Sequence, residues 1–390
     1  MTKTKPDWDP SAPDAHVDQI ATYDAIRRRS PVAFSERMHW SLLGHAEVMQ
    51  ALHDPASFSN VVSAQHPAVP NGMDPPEHTA FRRLIDPYFG PAAMADFAPI
   101  CRRIATAGVR RLPAGEVEMM GDLADDLALE MQCAFMGWPE SLHEPLRGWM
   151  VASAAATRAR DPAATAAVAQ VFAGYVADQL DARRKAGDAA PDDPTTRLLR
   201  ERIDGRPLTL TEIVSIVRNW TVGELGTIAA SIGIVAWYLA GEPELQAALR
   251  ADPTDLSAAI DEILRIHPPL AANRRTTTKP LEIGGRSLGA EERVTLIWAS
   301  ANRDPAAFGD PDRFDPAGNA AKNLLYGAGI HVCPGAPLAR LELETITGAL
   351  LARTRAIRRS ARPVERAVYP SSGFRVLPLV IELAEDRPAA

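Results

Sequence analysis

The residues best suited to chemistry lie in Tyr326-Gly327-Ala328-Gly329-Ile330-His331-Val332-Cys333-Pro334-Gly335. One cysteine stands among three glycines and a proline, and apolar residues at Leu338, Leu341, Ile346, Leu350 and Leu351 then recur at helical spacing. The Pro-Gly pair ends the loop just before that helix. Cys333 therefore precedes a helix N-terminus, where free N–H groups and the dipole favour negative charge. That setting is expected to lower the thiol pKa and favour thiolate, the form that binds metals. Glycines let a backbone bend tightly and approach a flat ligand, and a loop-held thiolate beneath them suits an iron porphyrin. The competing reading is a buried structural cysteine beside a turn, the usual fate of a free thiol.

Three further stretches carry candidate chemistry. In Met73-Asp74-Pro75-Pro76-Glu77-His78-Thr79-Ala80-Phe81-Arg82-Arg83, Asp74 is placed to cap a helix whose early prolines cost little. His78 and Arg82, four apart, share a face and could clamp an anion, or simply form a solvated basic face. Thr211 to Gly241 gives the longest helical pattern, apolar at nearly every turn, so it reads as buried. Its middle, Gly223-Glu224-Leu225-Gly226-Thr227, breaks local rules. Each interior glycine costs about 1 kcal/mol relative to alanine, and a buried glutamate needs a partner or a proton. Such breaches together point to a functional site, though glycines for close packing and a satisfied polar pair would produce them too. Glu262 and Arg265, three apart, can pair along a helix.

Together these stretches resemble the cytochrome P450 superfamily in its soluble bacterial form. The ten-residue run matches the haem-binding signature, with Tyr326 where the family usually has Phe. The resemblance implies haem b (iron protoporphyrin IX) with Cys333 as the iron ligand, and Tyr326, Gly327, His331 and Gly335 around the cofactor. It also implies that His78, Arg82 and Arg275 bind the propionates, with Arg274 the alternative register for the last. Thr227 matches the hydroxyl that the family places near dioxygen. The family usually has an acid directly before it, where this chain has Gly226. Glu224, three residues earlier, falls on a neighbouring turn and could rebuild the proton relay, so Thr227 and Glu224 are the candidate catalytic pair. Glu262 and Arg265, with Arg313 of Pro311-Asp312-Arg313-Phe314, match a structural ion-pair cluster beneath the haem.

The elements that must position these groups read as mainly α with small β-sheets, the P450 fold. A helix is expected over 17–29, two strands within 31–43 and a helix over 46–53. Residues 91–200 read as several helices, with turns at Pro139, Pro162 and 187–194. Leu281 to Arg286 reads as a hairpin with Val294 to Trp298, and short strands follow 355. Length alone would suit two or three domains. The resemblance implies a flexible lead-in over 1–15 and a single haem domain over 16–390. Net charge is −7, which gives no sign of nucleic-acid binding. Cys101, Cys133 and Cys333 show no paired spacing and suit a reducing compartment. With no apolar leader in Met1 to Ala15 and no convincing membrane span, the chain is expected to be cytoplasmic.

The resemblance implies a monooxygenase that inserts one oxygen atom of dioxygen into a small organic substrate. No reductase domain is expected, so electrons would come from a separate ferredoxin or flavodoxin with its reductase. Arg83, Arg102, Arg103 and Lys322 are candidate contacts for such an acidic partner, or solvated surface. Candidate pocket positions are the 61–72 loop, Val222, Gly223, Leu270 to Asn273 and Ser371 to Phe374. The missing acid before Thr227 motivates one alternative, a peroxide-dependent peroxygenase. A non-enzymatic haem sensor is the other, against which the Thr and Glu of the central helix argue.

Overall fold

A computed structural model describes residues 5–10, 12, 17–63, 68–159, 161–369 and 371–384. The axis of the fold is the central helix, Leu210–Gly241, 32 residues long. Thr209 caps it, accepting from the Glu212 amide while the Glu212 carboxylate accepts from the Thr209 amide. Length and apolarity would let this helix cross a membrane, but 61% of its most apolar stretch is buried inside the protein. It is a core helix, apolar all round because protein surrounds it. Asp125–Met136, Pro162–Ala186, Leu256–Ile266 and Ala336–Arg353 pack against it. Ala336–Arg353 packs in turn on Pro91–Arg111.

The largest sheet runs in the order Val32–Ser35, His39–Leu42, Arg293–Ile297, Ala272–Thr277, Phe58–Ser59. Its second and third strands are parallel, and its other neighbours antiparallel. Side chains alternate faces along a strand. In Ala272–Thr277 this buries Arg275 and Thr277 and leaves Arg274 exposed. A second sheet joins Thr354–Arg359, Pro378–Leu383 and Gly115–Glu118.

Most expected elements are present, with three corrections. Leu281–Ile283 pairs with Arg286–Leu288 across Gly284 and Gly285, not with Val294 to Trp298. Both glycines have positive φ, so the turn closes on the nearest strand. Gly115–Glu118, too short to stand out in an alanine-rich helical region, is a strand because Pro378–Leu383 pairs with it. The loose lead-in does not hold for Asp7 and Trp8. Trp8 is buried edge-on to Tyr23, and Asp7 pairs with Arg286 at 2.9 Å.

Candidate active site

The loop around Cys333 is shaped by its glycines. Gly327 and Gly329 have positive φ, and a Cβ on Gly329 would strike the Leu52 carbonyl. The Cys333 amide donates to the Tyr326 carbonyl at 2.9 Å, closing the loop on itself. Ala336–Arg353 starts immediately after, with Gly335 as its cap. Cys333 is exposed to solvent, yet protein atoms crowd around its thiol. Here one expectation fails. The Gly335 and Ala336 N–H groups do pull the thiol pKa down, but burial is the larger effect, and Glu224 adds to it. The net direction is upward, so the helix N-terminus alone does not make a thiolate. A metal would, since coordination deprotonates a thiol outright.

The loop rests on a polar network whose buried charges are paired, with only Asn302 Nδ2 of its named atoms left without a partner among the described residues. Arg265 is fully buried and pairs bidentately with Glu262 at 2.8 and 2.9 Å. Its remaining N–H groups reach the Asn302 and Pro311 carbonyls. Glu262 also accepts from the Asp315 amide and Asn319 Nδ2. Asn302 passes the support on, accepting from the Leu324 amide at 2.7 Å. Arg313 is not the third ion-pair member: its side chain is exposed, and only its carbonyl approaches Arg265, at 3.4 Å. Asn319 and the Asp315 backbone take that place. Tyr326 has a reason of its own to be Tyr. Its hydroxyl donates to Asp261 at 3.4 Å, and Arg340 lies over its ring while pairing with Asp261.

At the loop, four basic groups from three segments converge: His78 and Arg82 of the Glu77–Ile85 helix, Arg275 of Ala272–Thr277, and the loop's own His331. The His78 and His331 rings lie 4.1 Å apart. Burial lowers the His331 pKa to about 3, helped by the positive groups His78, Arg275 and Arg82. Burial also lowers His78, with Arg82 second. Arg275, 5% exposed, is pushed down to about 10 by burial. Both His78 ring nitrogens and His331 Nε2 are buried without a hydrogen-bond partner among the described residues. Unsatisfied buried donors beside like charge cost free energy, and an anion would relieve both costs at once. Arg82 also clamps the cysteine loop, pairing with Asp86 and donating from Nη1 to the Ile330 and Val332 carbonyls. Asp74 does not cap the Glu77–Ile85 helix. It accepts from Ser59 Oγ and the Asn60 amide, tying that helix to the sheet edge.

On the central helix, Gly223 and Gly226 leave open space where a Cβ would stand. Thr227 is half-buried beside them and its hydroxyl donates to the Gly223 carbonyl. Glu224 does not share this face. It is buried, and burial with Glu342 of Ala336–Arg353 as its electrostatic neighbour raises its carboxyl pKa. A spacing of three differs by about 60° around a helix of 3.6 residues per turn, enough here to send the two side chains to different surroundings. Of the expected pocket positions, Val222 is exposed, as are Val61 and Val62. Leu270 bridges to Ser371, and Gly373 lies against Ala230 and Ile234 of the central helix. Ser215 and Asn219 pin Val69; residues 64–67 of the 61–72 loop lie outside the described residues.

The cytochrome P450 family model matches residues 163–357. The chain is 32% identical to an erythromycin C-12 hydroxylase of Saccharopolyspora erythraea over 352 residues, 86% of this chain and 88% of that protein. The chain belongs to the cytochrome P450 family. It is a P450 monooxygenase, as relatives that hydroxylate and epoxidise are. One is the cyclomarin C epoxidase CymV of Salinispora arenicola, 32% identical over 84% of this chain and 86% of that one. Among solved structures, CYP109Q5 of Chondromyces apiculatus superposes with a TM-score of 0.86 at 28% identity, covering 97% of this chain and 98% of that one. The family implies a haem iron, and the site fits one: a solvent-exposed thiol, unpartnered imidazole nitrogens beside two arginines, and open space along Gly223 and Gly226.

The sequence reading missed Glu342. Its signal is present: Leu338, Glu342 and Ile346 stand four apart, placing a carboxyl in an apolar row that helix packing must bury.

Proposed function

We propose that the chain inserts one oxygen atom from dioxygen into a small organic substrate, in the cytoplasm, with electrons from a separate ferredoxin or flavodoxin and its reductase. The cofactor in this reading is haem b. The observation that supports it most is the cluster of His78, His331, Arg275 and Arg82 with orphaned nitrogens beside the Cys333 loop. Two carboxylates presented there would accept from His78, His331 and Arg275, and from the Arg82 Nη2 that the loop carbonyls leave over. Cys333 would hold the iron through its thiolate. When bound, the haem supplies the oxygen chemistry, with the thiolate pushing electron density onto iron.

The chain's own residues do the rest. Arg82 and the Glu262–Arg265 network hold the cysteine loop still. Thr227 stands beside the open space along the helix with its hydroxyl on the Gly223 carbonyl, and Glu224, on the neighbouring buried face, is the acid that would feed a proton to it. Val61, Val62 and Val222 are exposed apolar residues at expected pocket positions, which would favour an apolar substrate. The relatives are named for chemically diverse substrates, so none is transferred. Arg83, Arg102, Arg103 and Lys322 are exposed, which suits an acidic redox partner.

The test is turnover with NADPH and a surrogate ferredoxin and reductase, following oxygen consumed, product and peroxide. Glu224→Gln and Thr227→Ala should each divert oxygen consumption from product to peroxide, and the double variant should be less than additive. Full coupling in Glu224→Gln would overturn its role. A second reading, the peroxygenase, is favoured by one observation: Gly226 leaves open space where the family keeps an acid. Product from hydrogen peroxide alone, at a rate the redox partner cannot exceed, would decide for it.

A further inference from the structure

Phe89, Trp220 and Tyr88 lie ring to ring between the cysteine loop and the protein surface. Tyr88 and Phe89 are neighbours in the short helix Asp86–Phe89, of the 3-10 type, that follows Glu77–Ile85. Adjacent side chains in such a helix diverge by about 120°, and here both meet Trp220 of the central helix, each at 5.2 Å between ring centroids. Phe135 of Asp125–Met136 stacks on Phe89 at 5.7 Å and closes the cluster. At the inner end, a Cβ on Gly335 would stand 3.9 Å from Cys333 Sγ and 3.9 Å from Phe89 Cε1, so the thiol and the ring edge are no further apart than twice that. At the outer end, the buried Tyr88 donates its hydroxyl proton to Glu201 Oε1 at 3.0 Å, and Glu201 is partly exposed. Packing accounts for the rings but not for this phenol, since Phe at 88 would pack as well and leave no polar group to satisfy. Indole and phenol are also the aromatic side chains that give up an electron most readily, and a phenol does so more easily when a base takes its proton. We propose that Trp220 and Tyr88 form a discharge route that carries oxidising equivalents out of the haem site when no substrate consumes them, with Glu201 as the proton acceptor.

The route rests on the haem reading above. A monooxygenase generates an oxidant at its haem, and a thiolate left beside that oxidant is liable to climb toward sulfenic acid. In one passage, Trp220 gives one electron to the oxidant across Phe89, Tyr88 gives one to Trp220, and the Tyr88 O–H proton moves to Glu201. The oxidant is reduced by one electron, and Tyr88 is left a neutral radical. A thiol or an ascorbate-type reductant in solvent returns the electron, and Glu201 returns the proton. A two-electron oxidant is cleared by two passages. Burial, then the Glu201 carboxylate, raises the Tyr88 pKa, so the phenol starts protonated. The other oxidisable rings at the loop lead no further. Trp298 lies 4.0 Å from where a Gly327 Cβ would stand, but no ring contact to it is present among the described residues. Tyr326 belongs to the loop, but the Arg340 guanidinium over its ring opposes positive charge there, and its hydroxyl stands 3.4 Å from Asp261.

The test is freeze-quench electron paramagnetic resonance of the substrate-free ferric holoenzyme mixed with peracetic acid, with mass mapping of oxidised peptides on the same samples. The thiolate-type Soret band of the reduced carbon monoxide complex is recorded first, so that a failure of the haem reading is seen separately. The wild type should show a tyrosyl radical that ascorbate removes. Tyr88→Phe should lose it and leave a tryptophan-type radical. Glu201→Gln should do the same, since an amide oxygen still accepts the hydrogen bond but does not take the proton. Trp220→Phe should lose both signals and gather more oxidation around Cys333. Tyr326→Phe should keep the tyrosyl signal. No protein radical in a wild type with the expected Soret band overturns the route. So does a tyrosyl signal that survives Tyr88→Phe, one that Glu201→Gln leaves unchanged, or one that disappears in Tyr326→Phe. Should Trp220→Phe fail to bind haem, Tyr88→Phe and Glu201→Gln decide.

Discussion

The two sides of the haem cleft handle buried charge in opposite ways. Beneath the cysteine loop, the Arg265 guanidinium and the Glu262 carboxylate are surrounded by partners, and the network runs on to the loop through Asn302. Elsewhere around the cleft, in the basic cluster and where the central helix meets Ala336–Arg353, polar atoms are left over: two His78 nitrogens, one of His331, Glu224 Oε1 and both Glu342 oxygens. Neither arrangement is chosen for stability. A buried ion pair is seldom better than apolar packing, and an orphaned donor is worse. The difference shows which side is scaffold and which awaits a ligand or a proton. Networks whose charges are paired fix geometry; unsatisfied ones hold chemistry in reserve.

That contrast can be broken experimentally, beginning at its most sensitive point. Cys333→Ser should abolish the thiolate-type Soret band of the reduced carbon monoxide complex; a retained band would mean another ligand and end the assignment of the sides. Arg265→Ala should cost about 3–5 kcal/mol by stranding Glu262 as a buried charge, read as loss of thermal stability and of haem content. The equivalent loss on the open side should be smaller. His78→Ala and Arg275→Ala each remove bonds worth about 0.5–3 kcal/mol, read as faster haem transfer to apomyoglobin with the fold intact. Smallest is Tyr326→Phe. It removes one hydroxyl contact to Asp261 and should lower stability by no more than about 1.5 kcal/mol, without changing the spectrum.

The pH dependence of stability sharpens the same comparison. A glutamate whose folded pKa is raised keeps its proton while the unfolded chain ionises near 4.5. Its contribution is therefore fully present below that value and is lost as pH rises toward the folded pKa. Thermal unfolding of the wild type should weaken with pH above about 4.5 in part for this reason. Glu342→Gln should flatten that slope. Equal slopes in wild type and Glu342→Gln would show that Glu342 is ionised in the fold.

Much of this site was legible in the residues themselves. The run from Tyr326 to Gly335 determined its loop and helix start, because glycines at positive φ and a Pro-Gly pair act locally. The periodicity of 211–241 determined a buried helix, while the preference for Arg275 over Arg274 came from the family resemblance. What needed the tertiary structure was whatever depends on partners far along the chain. Gly115–Glu118 is a strand only because Pro378–Leu383 lies beside it. Asp74 abandons its cap for Ser59 and Asn60. Arg313 yields its place to Asn319. The thiol of Cys333 rises where the helix N-terminus alone would lower it, because desolvation sums over everything packed around it. Helical spacing put Glu224 near Thr227; only the packing of Ala336–Arg353 could make Glu342 its electrostatic neighbour, since a carboxyl's surroundings are set by which helix buries it.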